Sequence, residues 1–567
     1  MSAIRLDHGI NAGSGLPVIG VFATGDPRID QESRIRAGNI VQMAANQIAG
    51  KVITPGKTQV PVVYADVLVD GEQQADMVAT QFKKAGVNII VCVPDTWAFP
   101  QLTVMSMLAH FPRDTPFNFT TGNSGPRPGV VFTHATGGAL AQSGRLVHIN
   151  VGNWADTGLE PVMTEETRDA LIDWCYAAVT FQGLKGKRVM VFGHDSMGME
   201  TALPHVAATR NQFGLEITRL DMKLPADLLA RKAYDKDELK RLRSWLEEGA
   251  AGIELPEATD SENFDKSLAL YLIVRDLMKE LNAVGGGFMS QLEWGSDARG
   301  IPMPVADVME SLFNSTFDHN GPKEVIPYAT EADVQALLTQ LFMTWLSGGN
   351  PPLFMDFRKV WEPSEIEELA KNNGIKLAGN ATWEQKGFVD GVNSGSASFD
   401  WAATPGTSPE ETLGKISFPK AVDYFSYLGN SVHFISPAGI QGIAARLAYS
   451  SLSGMFSMVW DEAETVLPPQ GLAEAVCNTA NPTWPHTFVM PKYATMTEYK
   501  HYAPANHFHM TWGLKRARMQ YWMDMANVLS VTPWAARPEF EEGADRPLPL
   551  LYLINGGETQ AKIWRKN

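Results

Sequence analysis

This sequence of 567 residues contains few cysteines, fewer basic than acidic residues and no long apolar run. The three cysteines, Cys92, Cys175 and Cys477, lie far apart and form no CxxC motif, which excludes zinc-ribbon and thioredoxin-like sites and a disulfide framework. The net charge of -16 disfavours binding to nucleic acid or to an anionic membrane surface. No signal-peptide pattern opens the sequence and no apolar run is long enough to span a bilayer, so we expect a cytoplasmic protein.

The residues that are present indicate a globular α/β protein. Apolar residues make up 44% of the sequence and charged residues 19%, which is typical of a chain with several cores. Residues 17–22, 60–69 and 87–93 have the composition of buried strands, and the segments between them have helical periodicity. This alternation predicts βαβ units and parallel sheets. After about residue 345 the helical period weakens, and we expect antiparallel β-structure there.

Two carboxylates are candidates for a functional site. Thr330 and Asp333 resemble a capping box ahead of an apolar helical pattern that ends at Leu346, so Glu331 is expected at a helix start, close to a strand exit. Asp356 ends a short predicted strand, and ligands of open α/β sheets bind at such strand ends. The alternative for Glu331 is an acid that is simply favoured by the helix dipole.

A group of histidines near the end of the chain is the second signal. His507 and His509 alternate along an extended segment, so both could face one site, and His501 lies close by in the sequence. One imidazole with two carboxylates suits Mn²⁺, Fe²⁺ or Zn²⁺, whereas ordinary core or surface histidines are the alternative. The glycine run 285–287 lacks the GK[ST] of a phosphate loop, and the glycines near residue 13 precede a strand, so neither predicts a nucleotide site.

Seven short motifs follow one another in the second half of the chain. They are QLEW, NSTFDHNG, ATEAD, FMDFR, NSGSA, NPTWP and ANH, which begin at Gln291, Asn314, Ala329, Phe354, Asn393, Asn481 and Ala505. In order and spacing they resemble the L-fucose isomerase family, most closely between about residues 285 and 510. The resemblance implies two doubly wound α/β N-terminal domains, 1–167 and 168–346, then a C-terminal domain with an antiparallel β-barrel, 347–567, and a homo-hexamer.

The resemblance also implies an activity and a site. The activity is a Mn²⁺-dependent aldose–ketose isomerisation of an open-chain sugar such as L-fucose or D-arabinose. Glu331, Asp356 and His507 would be the metal ligands, and the two carboxylates would move a proton between C1 and C2 through an ene-diol. The positions that would contact the sugar are Arg28, Trp97, Met197, Gln291, Ser394 or Ser396, Asn430, Trp484 and Asn506. The family position of Trp97 belongs to a neighbouring subunit.

Departures from the family pattern leave the sugar open. Asn430 stands where the family has a pocket tyrosine. Four cationic or potentially cationic residues lie near the motifs: His433, His486, Lys492 and His509. They are explained either by drift in loops or by a pocket altered to take a different aldose, including a sulfonated or otherwise acidic one. A non-catalytic sugar-binding protein on the same scaffold and a metallohydrolase with the same ligands are the other hypotheses.

Overall fold

The computed structural model describes residues 4–5, 15–155, 158–290, 294, 303–421, 428–451 and 453–531, with the main chain alone at 4–5, 501 and 502. These residues form two compact units. The first unit runs as far as Lys185 and also includes Ala517–Ala526, and the second runs from Gly186 to Arg516 and resumes at Asn527. The three-domain division at residues 167 and 346 stays a prediction.

The first unit is built around a parallel sheet. Its strands are β1 Ile4–Arg5, β2 Ile19–Phe22, β3 Val62–Tyr64, β4 Ile89–Cys92, β5 Phe117–Gly122, β6 Val147–Gly152, β7 Trp154–Ala155 and β8 Val162–Met163. Its helices are α1 Gln31–Ile48, α2 Glu72–Lys84, α3 Val104–Leu108, α4 Gly129–Gln142 and α5 Glu165–Gly183. Six strands pair in parallel in the order β1-β3-β2-β4-β5-β6, and β7 pairs with β8.

Burial explains why these strands have unbroken apolar sequences. Every residue of β2 and β4 is buried, as expected for inner strands of a parallel sheet whose two faces are both covered. Helix α2 buries Ala75, Val78, Ala79 and Phe82, which recur at helical spacing. The alternation of strands and helices predicted from the sequence is therefore confirmed in this unit.

The second unit holds the remaining described strands and most of the remaining helices. The strands are β9 Arg188–Phe192, β10 Glu216–Leu220, β11 Gly252–Ile253, β12 Ala283–Phe288, β13 Phe317–Asp318, β14 Gly321–Pro322, β15 Tyr328–Ala329, β16 Leu353–Trp361, β17 Phe388–Val392, β18 Ser417–Phe418, β19 Gln441–Ser450, β20 Met455–Val466, β21 His486–Pro491, β22 His507–Trp512 and β23 Leu529–Val531. The helices are α6 Val206–Phe213, α7 Lys223–Ala230, α8 Lys236–Gly249, α9 Ala258–Glu280, α10 Asp307–Asn314, α11 Val334–Leu346, α12 Pro363–Asn372, α13 Thr382–Lys386, α14 Pro409–Leu413, α15 Gln470–Thr479 and α16 Met496–Tyr502. Helix α17, Arg516–Ala526, begins in this unit and continues in the first.

Two sheets dominate the second unit. A parallel sheet has the order β10-β9-β12-β15, which confirms the predicted α/β class for the N-terminal part of the chain. A seven-stranded sheet has the order β19-β22-β16-β17-β21-β20-β23, and β19 also pairs with β20, so six strands pair in a circuit. All of these pairings are antiparallel except that of β20 with β23. The β-barrel itself stays a prediction.

No helix in the described part of the chain combines the length and the apolar character that a membrane crossing requires.

Candidate active site

Glu331 lies on a strained turn that follows strand β15. Residues Thr330–Ala332 form a single 3₁₀ turn, in which Glu331 and Ala332 both have left-handed main chain, with φ angles of 62° and 54°. Such angles are unfavourable for residues other than glycine, so surrounding contacts must hold them. Gly287 of β12 makes room for the turn, because a Cβ atom there would lie 3.3 Å from the Cα of Ala332. The glycine run thus serves a close approach of main chains.

The predicted start of helix α11 is wrong by several residues. The helix begins at Val334, because the side chain of Asp333 is its N-cap and accepts a hydrogen bond of 2.9 Å from the N–H of Ala336. Glu331 therefore precedes the helix and follows β15 directly. Its predicted place at a strand exit is confirmed, but the helix dipole does not explain it.

Asp356 and His507 face each other across two neighbouring strands. They are directly opposed in the antiparallel pairing of β16 and β22, so their side chains lie on the same face of the sheet. The prediction that Asp356 ends a strand is wrong, because β16 continues to Trp361 and keeps pairing with β17. The pairing shifts register between Phe357 and Lys359, which is the kind of irregularity that re-aims side chains near functional sites.

The ring of His507 joins the acidic side chains into one cluster. Its Nε2 atom lies 3.2 Å from Oε2 of Glu331 and 3.2 Å from Oδ1 of Asp356. On the other side of the ring, Nδ1 lies 2.7 Å from Oδ2 of Asp333. Glu331, Asp333 and His507 are buried, whereas the side chain of Asp356 is 23% exposed. A small ligand would therefore reach the cluster from the side of Asp356.

Arg446 of strand β19 fixes Asp333 behind His507. Its Nη1 and Nη2 atoms donate to Oδ2 and Oδ1 of Asp333 at 2.8 and 3.1 Å, and Nη2 also donates to the carbonyl of Thr201 at 2.8 Å. This forked arrangement is the strong, directional form of an arginine–carboxylate pair. Because Asp333 is held at both oxygens, it sets the orientation of the His507 ring.

The charges in the cluster shift the pKa values in opposite directions. Burial would lower the pKa of His507, but Asp356, Asp333 and Glu331 together raise it well above its usual range. Burial raises the pKa of Glu331, and His507 opposes part of that effect. Burial would also raise the pKa of Asp333, but Arg446 and His507 hold it well below its usual range. Glu331 is thus the buried acid of this group that takes up a proton most readily.

The cluster resembles an ion-paired group more than an open metal site. Among the residues that the structure describes, no set of three or more His, Cys, Asp or Glu side chains is spaced as a preformed metal site. The Nε2 atom of His507 lies 3.2 Å from an oxygen of each carboxylate, as in an ion pair, and a metal-bound imidazole would carry no proton on that atom. The donor types nevertheless suit a divalent cation: two carboxylates, and an imidazole whose second nitrogen is held by Asp333.

Comparison with known proteins decides the family. Residues 16–186 match the family model of the first N-terminal domain of L-fucose isomerase, and residues 187–348 match that of the second N-terminal domain. The chain belongs to the L-fucose isomerase family. It is therefore an enzyme of the intramolecular oxidoreductase class, an aldose–ketose isomerase.

Similarity to proteins named L-fucose isomerase extends over most of the chain. The L-fucose isomerase of Vibrio vulnificus strain YJ016 is 26% identical over 520 residues, which cover 84% of this chain and 86% of that protein. That of Haemophilus influenzae strain PittEE is 24% identical over 518 residues, with 84% of each chain covered. That of Bacteroides fragilis strain YCH46 is 23% identical over 551 residues, with coverages of 89% and 90%.

Some of the sugar positions expected from the family lie beside the cluster or on exposed turns. Nδ2 of Asn506 lies 3.4 Å from Oδ1 of Asp356 and 3.4 Å from Sδ of Met199. Met197 has left-handed main chain in a 3₁₀ turn, and its side chain is 43% exposed. Trp484 is 4% exposed, and the guanidinium of Arg358 lies 5.5 Å from the centroid of its ring. Asn506 is thus the family position that the structure places against Asp356.

Other family positions are occupied by contacts within the fold. Ser394 and Ser396 are both buried. The amide of Asn430 donates to the main-chain carbonyls of Glu254 and Phe418, each at 2.9 Å. The amide of Asn430 therefore ties neighbouring segments together, and its donor is already in use.

The remaining positions lie elsewhere in the chain. Arg28 and Trp97 belong to the first unit. The side chain of Arg28 is 78% exposed, pairs with Asp26 at 2.6 Å and lies 5.7 Å from the ring centroid of Phe99. Trp97 is partly buried. Gln291 lies outside the described residues.

Three charged residues of the site were missed by sequence reasoning. Asp333 was assigned to the helix cap alone, and its contact with His507 joins residues 174 positions apart. Arg446 interrupts an apolar strand, and Glu310 interrupts an apolar helix, both at positions that are fully buried. A charged residue inside an apolar pattern is the signal that could have found the last two.

Proposed function

We propose that this isomerase converts an open-chain aldose to its ketose at the cluster of Glu331, Asp356 and His507, with Mn²⁺ as the metal. The observation that carries the proposal is the His507 ring, whose Nε2 lies 3.2 Å from an oxygen of each acid while Nδ1 contacts Asp333. A histidine that donates its second N–H to a buried carboxylate is oriented as metal-ligating histidines usually are. L-Fucose is the first candidate sugar, since the relatives are named for it, and D-arabinose is the second.

The donor types of the cluster suit a divalent cation: Glu331 and Asp356 would offer carboxylate oxygens, and His507 would offer Nε2. The two separations between Nε2 of His507 and the carboxylate oxygens are both 3.2 Å. When bound, such a cation supplies Lewis-acid stabilisation of the negative charge that develops on the two sugar oxygens.

Glu331 and Asp356 are the groups that we assign to proton transfer. One carboxylate removes the proton from C2 of the aldose, the electron pair of that C–H bond forms the C1=C2 double bond, and the π pair of the C1 carbonyl moves to the oxygen on C1, which gives an ene-diolate. A proton is then returned to C1 while another passes from the oxygen on C2 to the oxygen on C1, which gives the ketose. Asn506, at 3.4 Å from Asp356, orients that carboxylate.

The cationic residues that suggested an acidic sugar are used elsewhere in the fold. They are His433, His486, Lys492 and His509. Nδ1 of His486 lies 2.9 Å from Asp390, and Nζ of Lys492 lies 3.1 Å from Glu462. Burial lowers the pKa of both His433 and His509, so these rings are neutral near pH 7. A neutral aldose is therefore better supported than an anionic one.

The family's reaction class sets aside two other hypotheses, the non-catalytic sugar-binding protein and the metallohydrolase. The β-barrel and the homo-hexamer in which a neighbouring subunit supplies Trp97 come from the resemblance, and the cytoplasmic location comes from the sequence pattern. All three belong to the same proposal.

One experiment tests the need for a metal, the identity of the sugar product and the exchange of a proton with the solvent. The protein is treated with EDTA, supplied again with Mn²⁺, and incubated with L-fucose or D-arabinose in heavy water while proton NMR records ketose formation. We expect EDTA to abolish turnover, Mn²⁺ to restore it, and solvent deuterium to appear at C1 of the ketose.

Two acid variants and a control make the assignment specific. Glu331→Gln and Asp356→Asn should each lose about 3 kcal/mol or more of transition-state stabilisation, which is at least about 100-fold in kcat/KM. Asp400→Asn is the matched control, because the carboxylate of Asp400 accepts hydrogen bonds from Thr316 and Ser398 instead. Full activity in either acid variant, or in the metal-free protein, would overturn the proposed function.

A further inference from the structure

Glu331 lies in a turn whose main chain is strained. Both Glu331 and the residue after it have left-handed main chain, which an ordinary loop would relax. The N–H of Glu331 donates to Oγ of Ser290 at 3.1 Å, and Asp333 closes the turn with a bond of 3.3 Å from its N–H to the carbonyl of Thr330. The hydroxyl of Thr330, the first residue of the turn, donates to a buried acid.

That acid is Glu310 of helix α10, which is 1% exposed. Its Oε2 atom accepts hydrogen bonds from the hydroxyls of Thr330, at 2.6 Å, and Ser396, at 3.1 Å. Nδ2 of Asn393 donates to the same two hydroxyls at 3.0 and 2.8 Å. The amide only donates, so both hydroxyls accept from Asn393, and each can direct its own proton to the Glu310 carboxylate. The two hydroxyl oxygens also lie 3.1 Å from each other, so Thr330, Ser396, Asn393 and Glu310 form one connected network.

We propose that Glu310 is a positioning residue, which holds the turn through Thr330 and so sets the place of the Glu331 carboxylate beside His507. This inference rests on the proposed function of Glu331 and extends it to a residue outside the ligand set. Glu310 bonds the side chain of Thr330, which precedes Glu331 in the chain, so it is linked to the Glu331 carboxylate through the turn. A buried carboxylate is costly unless it is bonded, and one of the two hydrogen bonds of Glu310 holds this strained turn.

The two carboxylate oxygens of Glu310 have different contacts, so we expect different effects from Glu310→Gln and Glu310→Ala. Oε2 carries both hydroxyl contacts, whereas Oε1 has no hydrogen-bond partner among the described residues. The amide oxygen in Glu310→Gln can take the place of Oε2 and keep both contacts. Glu310→Ala removes the acceptor, so the hydroxyls of Thr330 and Ser396 lose their common partner and the turn can relax.

Asp400, which is partly buried, supplies a control for the loss of a hydrogen-bonded acid. Like Glu310, it accepts hydrogen bonds from a threonine and a serine, namely the main chain and hydroxyl of Thr316 and the hydroxyl of Ser398, the last at 3.1 Å. Asp400→Ala should therefore lower thermal stability much as Glu310→Ala does. Only the latter should change the metal site.

The experiment is a titration of the full-length, metal-free protein with Mn²⁺, followed by EPR, together with thermal unfolding and the kcat and KM of the isomerisation. Glu310→Ala should weaken Mn²⁺ binding about 10- to 100-fold, the usual effect of losing a residue that orients a metal ligand, and should lower kcat more than it raises KM. Glu310→Gln should recover most of the Mn²⁺ affinity. Asp400→Ala should keep the affinity despite its lower unfolding temperature.

The outcomes separate this inference from the proposed function. If the wild-type protein binds no Mn²⁺ and forms no ketose, the proposed function fails and Glu310 loses its role with it. If the wild type binds Mn²⁺ but Glu310→Ala binds it equally well, only the inference about Glu310 fails. An equal loss of affinity in Glu310→Ala and Asp400→Ala would also overturn it, because the effect would then be general destabilisation. If Glu310→Ala does not fold, Ser396→Ala takes its place, with a smaller loss of affinity expected and an unchanged affinity contradicting the inference.

Discussion

His507 and His509 lie two residues apart on strand β22, on the same face, and both are buried. Their pKa values nevertheless shift in opposite directions. The pKa of His507 rises well above its usual range, since three carboxylates outweigh the effect of burial. The pKa of His509 falls well below it, because burial and the nearby charge of Arg446 both disfavour a proton. The spacing of the two histidines sets the face that they share, but the neighbouring elements set their chemistry.

Strand register explains the difference. In the pairing of β22 with β16, His507 is opposite Asp356, whereas His509 is opposite Phe354. On its other side, His509 is opposite Ala445 of β19. Neither ring nitrogen of His509 has a hydrogen-bond partner of good geometry among the described residues. A shift of two residues in this register would place His509 opposite Asp356 and move His507 to a position opposite Arg358.

The largest effect is expected when both histidines receive the same substitution. His507→Gln removes the imidazole that joins the acids, so kcat/KM should fall about 1000-fold or more, which is about 4 kcal/mol. His509→Gln should stay within about threefold of the wild type, because His509 contacts no carboxylate of the cluster. Steady-state kinetics with L-fucose or D-arabinose measures both. Similar losses of kcat/KM in the two variants would contradict the proposed difference between His507 and His509.

A smaller effect is expected behind His507. Asp333→Asn keeps an oxygen for the helix cap but removes the charge that Arg446 and His507 share, so Mn²⁺ affinity should fall about 10- to 100-fold. Asp461→Asn is the control, since Asp461 is equally buried and accepts from the main chain of Ala494. Isothermal titration with Mn²⁺ compares the two variants. An affinity in Asp333→Asn equal to that of the control would mean that Asp333 does not orient His507.

The smallest effect concerns stability at His509. At pH 7 the free energy of unfolding of His509→Leu should lie within about 1.5 kcal/mol of the wild type, because the two side chains are similar in size and the imidazole makes no good hydrogen bond. As the pH falls below about 6.5, the unfolded wild-type chain binds a proton at His509 that the folded chain does not, so the wild type loses stability.

The leucine variant does not incur this loss, so its relative stability should improve by up to about 1.4 kcal/mol per pH unit between pH 6.5 and 5. Urea unfolding at several pH values measures the difference. If the difference between the two proteins does not change from pH 7 to pH 5, the folded pKa of His509 is not depressed, and the contrast with His507 is lost.

Sequence patterns predicted the parallel sheets and the ligand candidates, but they could not place the supporting residues. Apolar runs and helical spacing depend on local composition, which explains why β2, α1 and β4 were predicted. The start of α11 was misplaced because Thr330 and Asp333 both fit a cap, and the structure uses Thr330 to bind Glu310 instead. The contacts of His507 with Asp333 and of Asp333 with Arg446 join distant segments, so no local pattern contains them.

We propose that a divalent cation is held by Glu331, Asp356 and His507, and not by His509. The most direct test is an EPR titration of the metal-free wild type, His507→Gln and His509→Gln with Mn²⁺. We expect one tightly bound Mn²⁺ per chain in the wild type and in His509→Gln, and a loss of that binding in His507→Gln. Equal binding by all three proteins, or none by the wild type, would contradict it.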